Sequence, residues 1–310
     1  MRSLSISDTI DSSYKWAYID YLYNHADFQE INNDLPQKSF FLVDKAKNEV
    51  YGHLSVQLLE GKAISHVSAP YGGISFSDQI SEEEKLFFGL EIKRRLSKDG
   101  LQELLLHQPP KLSKNDHGFE RSLDYAGFNV VKQREYQMIS LLEDFEVKLH
   151  EMEKRKFKKS IEKGFRFELA RPSELKGILD FVIEQRSVLG YEFSMGWEQL
   201  KEYQKAFPEN YFGARVWDGD QLISASILVK ESSGVLYQFA PAHIKRYNKY
   251  SPVVFLTKQI CEWAKTQGFT WLNLGTSYLD DQRNEGLYSF KEKLGAEVFV
   301  ASSLQKMINS

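Results

Sequence analysis

Residues 254–276 read VFLTKQICEWAKTQGFTWLNLGT, a pattern typical of an amphipathic helix, a turn glycine and an apolar strand. Residues 86–108 read LFFGLEIKRRLSKDGLQELLLHQ and repeat that pattern 168 positions earlier, with Gly100 in the place of Gly268. The other matches fall on core positions: Phe87 and Phe255, Ile92 and Ile260, Leu104 and Leu272, Leu106 and Leu274. Turn glycines and core residues are the positions where the choice of residue is most restricted. The sequence therefore predicts that one supersecondary unit occurs twice.

A second pair of segments keeps the same offset along the chain. Residues 117–131 read HGFERSLDYAGFNVV, and residues 285–299 read EGLYSFKEKLGAEVF. Each predicts a helix, a turn glycine and a strand, with Gly127 in the first segment and Gly295 in the second. One offset across two helices and two strands favours duplication over chance.

The segments upstream of these pairs also agree in order. Residues 40–73 and residues 211–243 each predict three strands joined by turns. Helices are predicted before them, at 12–23 and at 173–189. The order helix, antiparallel strands, helix, strand, helix, strand predicts an α/β (α+β) fold of mixed sheets, in two tandem units, each with a central mixed sheet flanked by helices.

The size and composition of the chain agree with two domains. With 310 residues, the chain suits two domains of about 150 residues each. We expect them at 1–145 and 146–310, because the stretch at 143–165 carries alternating charge and no long apolar run. The second is the predicted active-site unit.

Charge and cysteine content exclude several classes of protein. The net charge of −3 gives no field that would attract DNA. The single cysteine, Cys261, allows neither an internal disulfide nor a cysteine metal cluster, and the seven histidines form no pair at metal spacing. We expect no metal. The N-terminus lacks a signal-peptide pattern, and no apolar run is long enough to span a membrane, so a cytoplasmic protein is predicted.

One residue contradicts the helical pattern of GLYSFKEKLGAE, residues 286–297. Leu287, Phe290 and Leu294 form an apolar stripe, and the same spacing places Lys291 on that stripe. The offset of the repeat puts Leu123 at the corresponding place in the first half. A lysine that faces an interior is costly unless it is paired or lines a cleft. The competing interpretation is a lysine that extends past Phe290 into solvent.

The order of elements is that of the GNAT acyltransferase fold, and two copies in one chain resemble the Fem family of peptidoglycan-bridge aminoacyl transferases. Three stretches carry the resemblance: SAPYGG at 68–73, RKFKKSIEKG at 155–164 and GLYSFKEKLGAE at 286–297. The resemblance implies transfer of an activated acyl or aminoacyl group to an amine. It implies that Phe290 and Lys291 are catalytic residues, where acyl donor and acceptor meet. A lysine there could stabilise the oxyanion of the transition state.

The resemblance also implies residues that bind the acceptor, a small molecule or a lipid- or nucleotide-linked precursor of the cell envelope. Tyr71, Gly72 and Gly73 border the acceptor cleft in the family, although a Gly-Gly turn needs no ligand. In the loop SYLDDQRN, residues 277–284, we predict that Tyr278 and Asp280 bind substrate. Asp280 and its neighbour Asp281 are candidate general bases, and an ordinary solvated loop is the alternative.

The donor stays open between acyl-CoA and aminoacyl-tRNA, and no tightly bound cofactor is expected. Three glutamates in SEEEK, residues 81–85, would repel a phosphate at the N-terminus of the first unit's helix. In the second unit, HIKRYNKYSP offers Lys245, Arg246 and Lys249 as donor-binding residues, or as an ordinary basic loop. The basic run at 154–159 could bind a tRNA backbone, although neighbouring glutamates reduce the net positive charge of this segment.

The sequence is compatible with two functions and identifies a substrate for neither. The first is an acyl or aminoacyl transferase with its site in the second unit. The second is a non-catalytic GNAT-fold protein that binds an envelope precursor or a protein partner, which the missing phosphate-loop glycine would suit. The long helical arm of some Fem members is also missing, because residues 150–164 are too few to form it. The oligomeric state stays open.

Overall fold

The computed structural model describes residues 3–18, 21–31, 35–67, 69–112, 126–190, 193, 195–279 and 281–308. The chain forms two compact units. Unit 1 contains Met1–Glu135 together with Phe299–Ser310, and unit 2 contains Tyr136–Val298. These bounds differ from the division at 145/146 expected from the sequence, because the last residues of the chain belong to unit 1.

Unit 1 is a mixed sheet with a long helix between its strands at 75–76 and 103–107. Its strands are β1 Leu4–Ser7, β2 Lys15–Trp16, β3 Gln37–Asp44, β4 Glu49–Leu59, β5 Lys62–Ile64, β6 Ser75–Phe76 and β7 Glu103–His107, and its helices are α1 Ala26–Ile31 and α2 Glu82–Lys98. Strand β8, Asn129–Ser140, begins in unit 1 and ends in unit 2. The central order is β1-β3-β4-β5-β7. Strand β7 runs parallel to β5, and its other edge pairs with residues 303–307.

Unit 2 has the same central strand order as unit 1. Its strands are β9 Arg166–Ala170, β10 Tyr211–Asp218, β11 Gln221–Lys230, β12 Val235–His243, β13 Trp271–Thr276, β14 Tyr278–Leu279 and β15 Gln282–Arg283. Its helices are α3 Phe145–Lys148, α4 Glu151–Glu162, α5 Leu175–Ser187, α6 Trp197–Ala206, α7 Pro252–Thr266 and α8 Glu285–Lys293. Strand β16, Glu297–Met307, begins here and ends in unit 1.

The central order in unit 2 is β9-β10-β11-β12-β13. Strand β13 runs parallel to β12, and its other edge pairs antiparallel with the end of β8. Strands β7 and β13 begin at residues 103 and 271, and β8 and β16 begin at 129 and 297. Both pairs keep the offset of the sequence repeat. The predicted class of mixed α/β sheets flanked by helices is confirmed.

The last strand of each sheet is supplied by the other half of the chain. Residues 303–307 of β16 complete the sheet of unit 1, and the end of β8 completes the sheet of unit 2. Each unit has a separate apolar core. Leu304 and Ile308 join the core of unit 1, together with residues such as Phe88 and Leu104. Ile139 and Leu141 join that of unit 2.

The predicted helix at 12–23 is wrong. Residues 15–16 form β2, a short strand parallel to β4, and a 3₁₀ turn follows at Leu22–Asn24. The backbone N–H groups of Lys15 and Ala17 donate to Asn48 and Val50 of the neighbouring segment. Pairing with a distant strand thus replaces the local hydrogen bonds of a helix. The predicted helix at 173–189 is confirmed by α5.

Helices α2 and α7 begin in different ways. Ser81 and Glu84 form a capping box at the start of α2, in which each side chain accepts from the other residue's backbone N–H. Helix α7 begins at Pro252 after Ser251, which has φ +45° and caps no backbone N–H with its side chain. Within the described residues, each helix is too short or too polar to cross a bilayer.

Candidate functional site

A cavity of about 690 Å³ lies in unit 2, where strands β12 and β13 separate. The two strands run side by side from Val235 to Tyr237, and Tyr237 and Asn273 are their last paired residues. Beyond this point the residues of both strands line the cavity, with Phe239 on β12 and Thr276 on β13. The cavity therefore occupies the place that continued strand pairing would otherwise fill.

A bulge in the neighbouring strand pair accompanies this separation. The register of β11 against β12 shifts between Ala225 and Ile227, and Ala240 on β12 has φ +52°. The Ser226 hydroxyl donates to the carbonyl of Phe239, 2.9 Å away. A bulge bends its strand locally, so the second half of β12 leaves its neighbour at the point where the cavity begins.

Residues on both faces of the sheet line the cavity. Side chains alternate between faces along a strand. Phe239 packs on Phe193, with the ring centres 5.4 Å apart, whereas the amide of Gln238 accepts a hydrogen bond from Thr257 on α7 at 3.0 Å. Phe193, Phe239 and Gln238 all line the cavity. The cavity is thus lined by side chains from both faces of the sheet.

Lys291 is buried at this cavity, with 6% of its surface exposed. Its Nζ donates to the carbonyl oxygens of Gly275 and Thr276, at 3.0 and 2.8 Å. Burial lowers the pKa of Lys291 to about 7. No carboxylate of the described residues pairs with it, and position 291 faces inward, as the apolar stripe predicts. An ammonium has three N–H donors, so one remains when the two carbonyls are satisfied.

The conformation of Gly275 brings its carbonyl to Lys291. Gly275 has φ +73°, which side chains disfavour, and a Cβ atom there would lie 2.9 Å from the Tyr237 hydroxyl. Burial raises the pKa of the Tyr237 hydroxyl, so this neighbour stays uncharged. Glycine is thus the residue that fits where β13 turns, and the turn presents two successive carbonyls to one lysine.

Phe290 and Tyr278 also line the cavity, and Phe290 packs against the core of unit 2. Helix α8 carries Phe290 and Lys291 and is capped by Asn284, whose side chain accepts from the N–H of Leu287 at 3.0 Å. Asp280 lies outside the described residues. Its neighbour Asp281 is exposed. Leu123, the predicted counterpart of Lys291, also lies outside the described residues.

The predicted donor-binding cations lie apart from the cavity lining. Lys245, Arg246 and Lys249 are exposed on a 3₁₀ segment, and Arg246 donates to the side chain of Gln221 at 2.6 Å. The same segment contributes Asn248 to the cavity, next to His243, with His243 Nε2 2.5 Å from Asn248 Oδ1. The three cations therefore stay a prediction.

The predicted acceptor residues lie in unit 1 and take part in its packing. Tyr71 is buried, with its ring edge-on to Tyr21 and Tyr23. The N–H of Gly72 donates to His107 at 2.8 Å, and Gly73 lies beside the side chain of Gln108. These contacts account for Tyr71, Gly72 and Gly73 without a ligand, and their role stays a prediction.

Sequence reasoning missed several residues that line the cavity. Gln238 is buried, and its Nε2 has no hydrogen-bond partner among the described residues. A glutamine in the apolar strand VLYQFAPAH was the signal that could have revealed it. The lining also includes Lys156, Arg186 and His243, and no carboxylate from the part of the chain that is described. Such a site suits a ligand or a transition state that carries negative charge.

Known structures agree with this architecture, whereas no family model and no curated protein matches the sequence. A crystal structure of FemX is 11% identical, covers 93% of this chain and 92% of its own, and has a TM-score of 0.72. The C-terminal domain of a putative lysylphosphatidylglycerol synthetase from Agrobacterium fabrum is 14% identical, with coverage of 82% and 81% and a TM-score of 0.56. L-PGS from Bacillus licheniformis is 16% identical, with coverage of 84% and 82% and a TM-score of 0.54. The chain therefore has the Fem-like, GNAT-related fold.

Proposed function

We propose that unit 2 is an acyltransferase or aminoacyltransferase that moves an activated acyl group to an amine. The observation that carries this proposal is Lys291, a buried lysine at the wall of a cavity that pairs with none of the described carboxylates. A scaffold has little reason to keep such a group, because a lone buried charge is destabilising. Acyl transfer has a use for it, because negative charge develops on the carbonyl oxygen of the donor.

In the proposed reaction, the amine of the acceptor attacks the donor carbonyl directly. The carbonyl oxygen becomes an oxyanion, and the remaining N–H of Lys291 donates to it while the carbonyls of Gly275 and Thr276 hold the ammonium in place. The tetrahedral intermediate then collapses, and the donor's leaving group departs with the bonding electrons and takes up the proton that the amine loses. Because its pKa lies near 7, Lys291 can be charged at neutral pH.

The donor in this proposal carries phosphate, as acyl-CoA and aminoacyl-tRNA both do. Support comes from the basic lining of the cavity and from helix α7, whose first N–H groups lack a side-chain cap. We assign Lys245, Arg246 and Lys249 to the outer part of the donor. The unpartnered amide of Gln238 is suited to a carbonyl of either substrate.

The acceptor in this proposal is an amine on a precursor of the cell envelope. It is supported by the names of the proteins that share the fold, FemX and lysylphosphatidylglycerol synthetase, the latter named for an aminoacylated lipid. Tyr278 and Asp280 would contact this acceptor. Tyr71, Gly72 and Gly73 remain in the proposal as acceptor contacts made by unit 1.

The test is a transfer assay with acyl-CoAs and charged tRNAs as donors and amine-bearing envelope precursors as acceptors. Lys291→Met keeps the apolar stem and removes the charge, so we expect the kcat of transfer to fall about a hundredfold or more, with little change in KM. Lys258→Met is the matched control, because Lys258 is a mostly buried lysine that pairs with Glu146 and Glu262 outside this cavity. Equal turnover in Lys291→Met and the parent would overturn the proposal. Donor binding without turnover in any combination would favour the non-catalytic binding protein.

A further inference from the structure

A chain of buried hydrogen bonds leads away from Lys291 into the interior of unit 2. The N–H of Gly275, whose carbonyl accepts from Lys291, donates to Asn273 Oδ1 at 2.7 Å. Asn273 Nδ2 in turn donates to Glu231 Oε2 at 3.0 Å. Asn273 and Glu231 are each about 1% exposed. The path from carboxylate to lysine therefore contains no water-exposed step.

The chemistry of the two neighbours fixes the orientation of the Asn273 amide. The backbone N–H of Gly275 can only donate, so it requires the oxygen side of the amide. The carboxylate of Glu231 accepts hydrogen bonds, so it suits the NH₂ side. In a flipped amide, the NH₂ group would face the N–H of Gly275, and the oxygen would face the carboxylate of Glu231. Neither contact could form a hydrogen bond, and unpaired buried polar groups are costly. The side chain of Asn273 therefore has one stable orientation.

We infer that Asn273, anchored by Glu231, is a positioning residue that holds the Gly275 carbonyl against Lys291. The Gly275 backbone has φ +73°, and the hydrogen bond from its N–H to Asn273 stabilises that turn. The turn sets the direction of the carbonyl that Lys291 contacts. The effect of Asn273 on transfer rests on the proposed function, whereas its effect on Lys291 does not.

The first half of the chain supports this assignment by contrast. The offset of the sequence repeat relates Asn273 to Leu105 and Gly275 to His107. Leu105 pairs with Ile64 in a regular parallel ladder that includes no left-handed residue. A leucine has no amide to hold a turn, so an ordinary strand needs neither the asparagine nor the glycine. Asn273 and Gly275 are therefore found in the unit that contains Lys291, whereas unit 1 has a leucine and a histidine at the related positions.

The first test follows the titration of Lys291 itself and needs no substrate. The side-chain ¹³Cε resonance of Lys291, assigned by its loss in Lys291→Met, is recorded by NMR from pH 5 to pH 11. In Asn273→Ala we expect the pKa of Lys291 to fall by about one unit, because one carbonyl that stabilises the ammonium is released. Ser160→Ala removes another buried hydrogen bond, from Ser160 Oγ to Phe157, and should leave the titration unchanged. An unchanged titration in Asn273→Ala overturns the inference.

The second test exchanges the amide of position 273 and the carboxylate of position 231. It remains informative if Asn273→Ala does not fold. Asn273→Asp alone sets two carboxylates against each other, so the Lys291 titration should differ from the parent's. Asn273→Asp combined with Glu231→Gln restores one donor and one acceptor and keeps the net charge, so the titration should return to that of the parent. A double variant that titrates like Asn273→Asp alone overturns the inference.

The transfer assay then separates this inference from the proposed function. If both hold, kcat falls at least tenfold in Asn273→Asp, with KM unchanged, and recovers in the double variant. If Lys291→Met transfers as fast as the parent while the titration still follows Asn273, the proposed function fails and the positioning role stands. If the titration of Lys291 is the same in the Asn273 variants as in the parent while Lys291→Met is inactive, the positioning role fails and the proposed function stands.

Discussion

Two corresponding parallel strand pairs, one in each unit, end in opposite ways. In unit 1, β5 and β7 stay bonded past their ladder, because Ser65 donates to Leu105 at 2.9 Å and Gly72 donates to His107 at 2.8 Å. In unit 2, the pairing of β12 with β13 stops at Asn273, and a cavity follows. The same order of elements therefore gives parallel strands that stay hydrogen-bonded in unit 1 and parallel strands that separate around a cavity in unit 2.

The helices that follow show the same contrast. Helix α2 satisfies its own first N–H groups through Ser81 and Glu84 and carries three glutamates in its first turn. Helix α7 begins from a strained Ser251 without a side-chain cap. At these two helix ends, the backbone is capped locally in unit 1, whereas in unit 2 a residue in the left-handed region precedes an uncapped helix.

The largest expected effect comes from Lys291→Met, because it removes the buried charge that distinguishes unit 2. The pKa of Lys291 is about 7 in the folded chain and 10.5 as the reference for the unfolded chain. Between these values the unfolded chain holds a proton that the folded chain lacks, so the parent's free energy of unfolding rises with pH. Below pH 7 the parent carries the full cost, and Lys291→Met should be more stable by about 1–4 kcal/mol. This advantage should shrink as pH rises toward 10.5.

Urea unfolding of both proteins at pH 6 and pH 9 measures this difference. A constant difference at the two pH values would contradict the assigned burial of the ammonium. Lys258→Met is again the control: its ion pairs with Glu262 and Glu146 raise the pKa of Lys258, so its removal should not stabilise the protein.

A smaller effect is expected from Gly275→Ala. The left-handed backbone and the Tyr237 hydroxyl both oppose a Cβ atom there, so the free energy of unfolding should fall by about 2 kcal/mol or more. His107→Gly is the reverse change at the related position of unit 1. It should cost about 1 kcal/mol through chain entropy and lost packing. If Gly275→Ala proved as stable as the parent in the same unfolding assay, the turn at Gly275 would not be strained.

Ser81→Ala tests the closed helix end of unit 1. Loss of the cap should lower the free energy of unfolding by about 1 kcal/mol, because the N–H of Glu84 loses its acceptor. Ser81→Thr keeps the hydroxyl and serves as the control. Equal unfolding midpoints for Ser81→Ala and the parent would show that the capping box adds nothing in solution.

Glu83→Gln is expected to give the smallest effect. Glu83 is an exposed carboxylate in the first turn of α2, where a negative charge interacts favourably with the helix dipole. Its loss should cost a small free energy of unfolding at low ionic strength and less in high salt. Thermal unfolding at two salt concentrations measures this. A stabilising result would mean that the three glutamates repel one another more than they favour the helix.

The sequence predicted those parts of the structure that repeat locally. The offset between the two halves anticipated where β7 and β13 begin, and the apolar stripe anticipated that Lys291 faces inward. Turn glycines and helical spacing are local signals, so a single sequence can reveal them. The Fem-like fold followed from the order of the elements.

What the sequence did not reveal depends on partners far along the chain. Residues 15–16 form a strand because the carbonyls of Asn48 and Val50 accept the N–H groups of Lys15 and Ala17. The opening between β12 and β13 depends on a bulge in β12, and no residue pattern in the sequence indicated that bulge. The roles of Lys245, Arg246 and Lys249 depend on a donor, which a pattern of charge does not specify.

Because the sheet of unit 1 is completed by residues 303–307, its folding depends on the order in which the chain is synthesised. His107 on β7 contacts Ser303, which lies 196 residues later in the chain. At a synthesis rate of about 5–20 residues per second, the edge of β7 waits roughly 10–40 s on the ribosome for the residues that complete it. During that time, an apolar strand with unpaired backbone groups is open to other nascent chains. A product truncated after residue 300 would never close this edge. Residues 303–307 thus decide whether the sheet of unit 1 is completed, so unit 1 finishes folding only after the residues of unit 2 have been made.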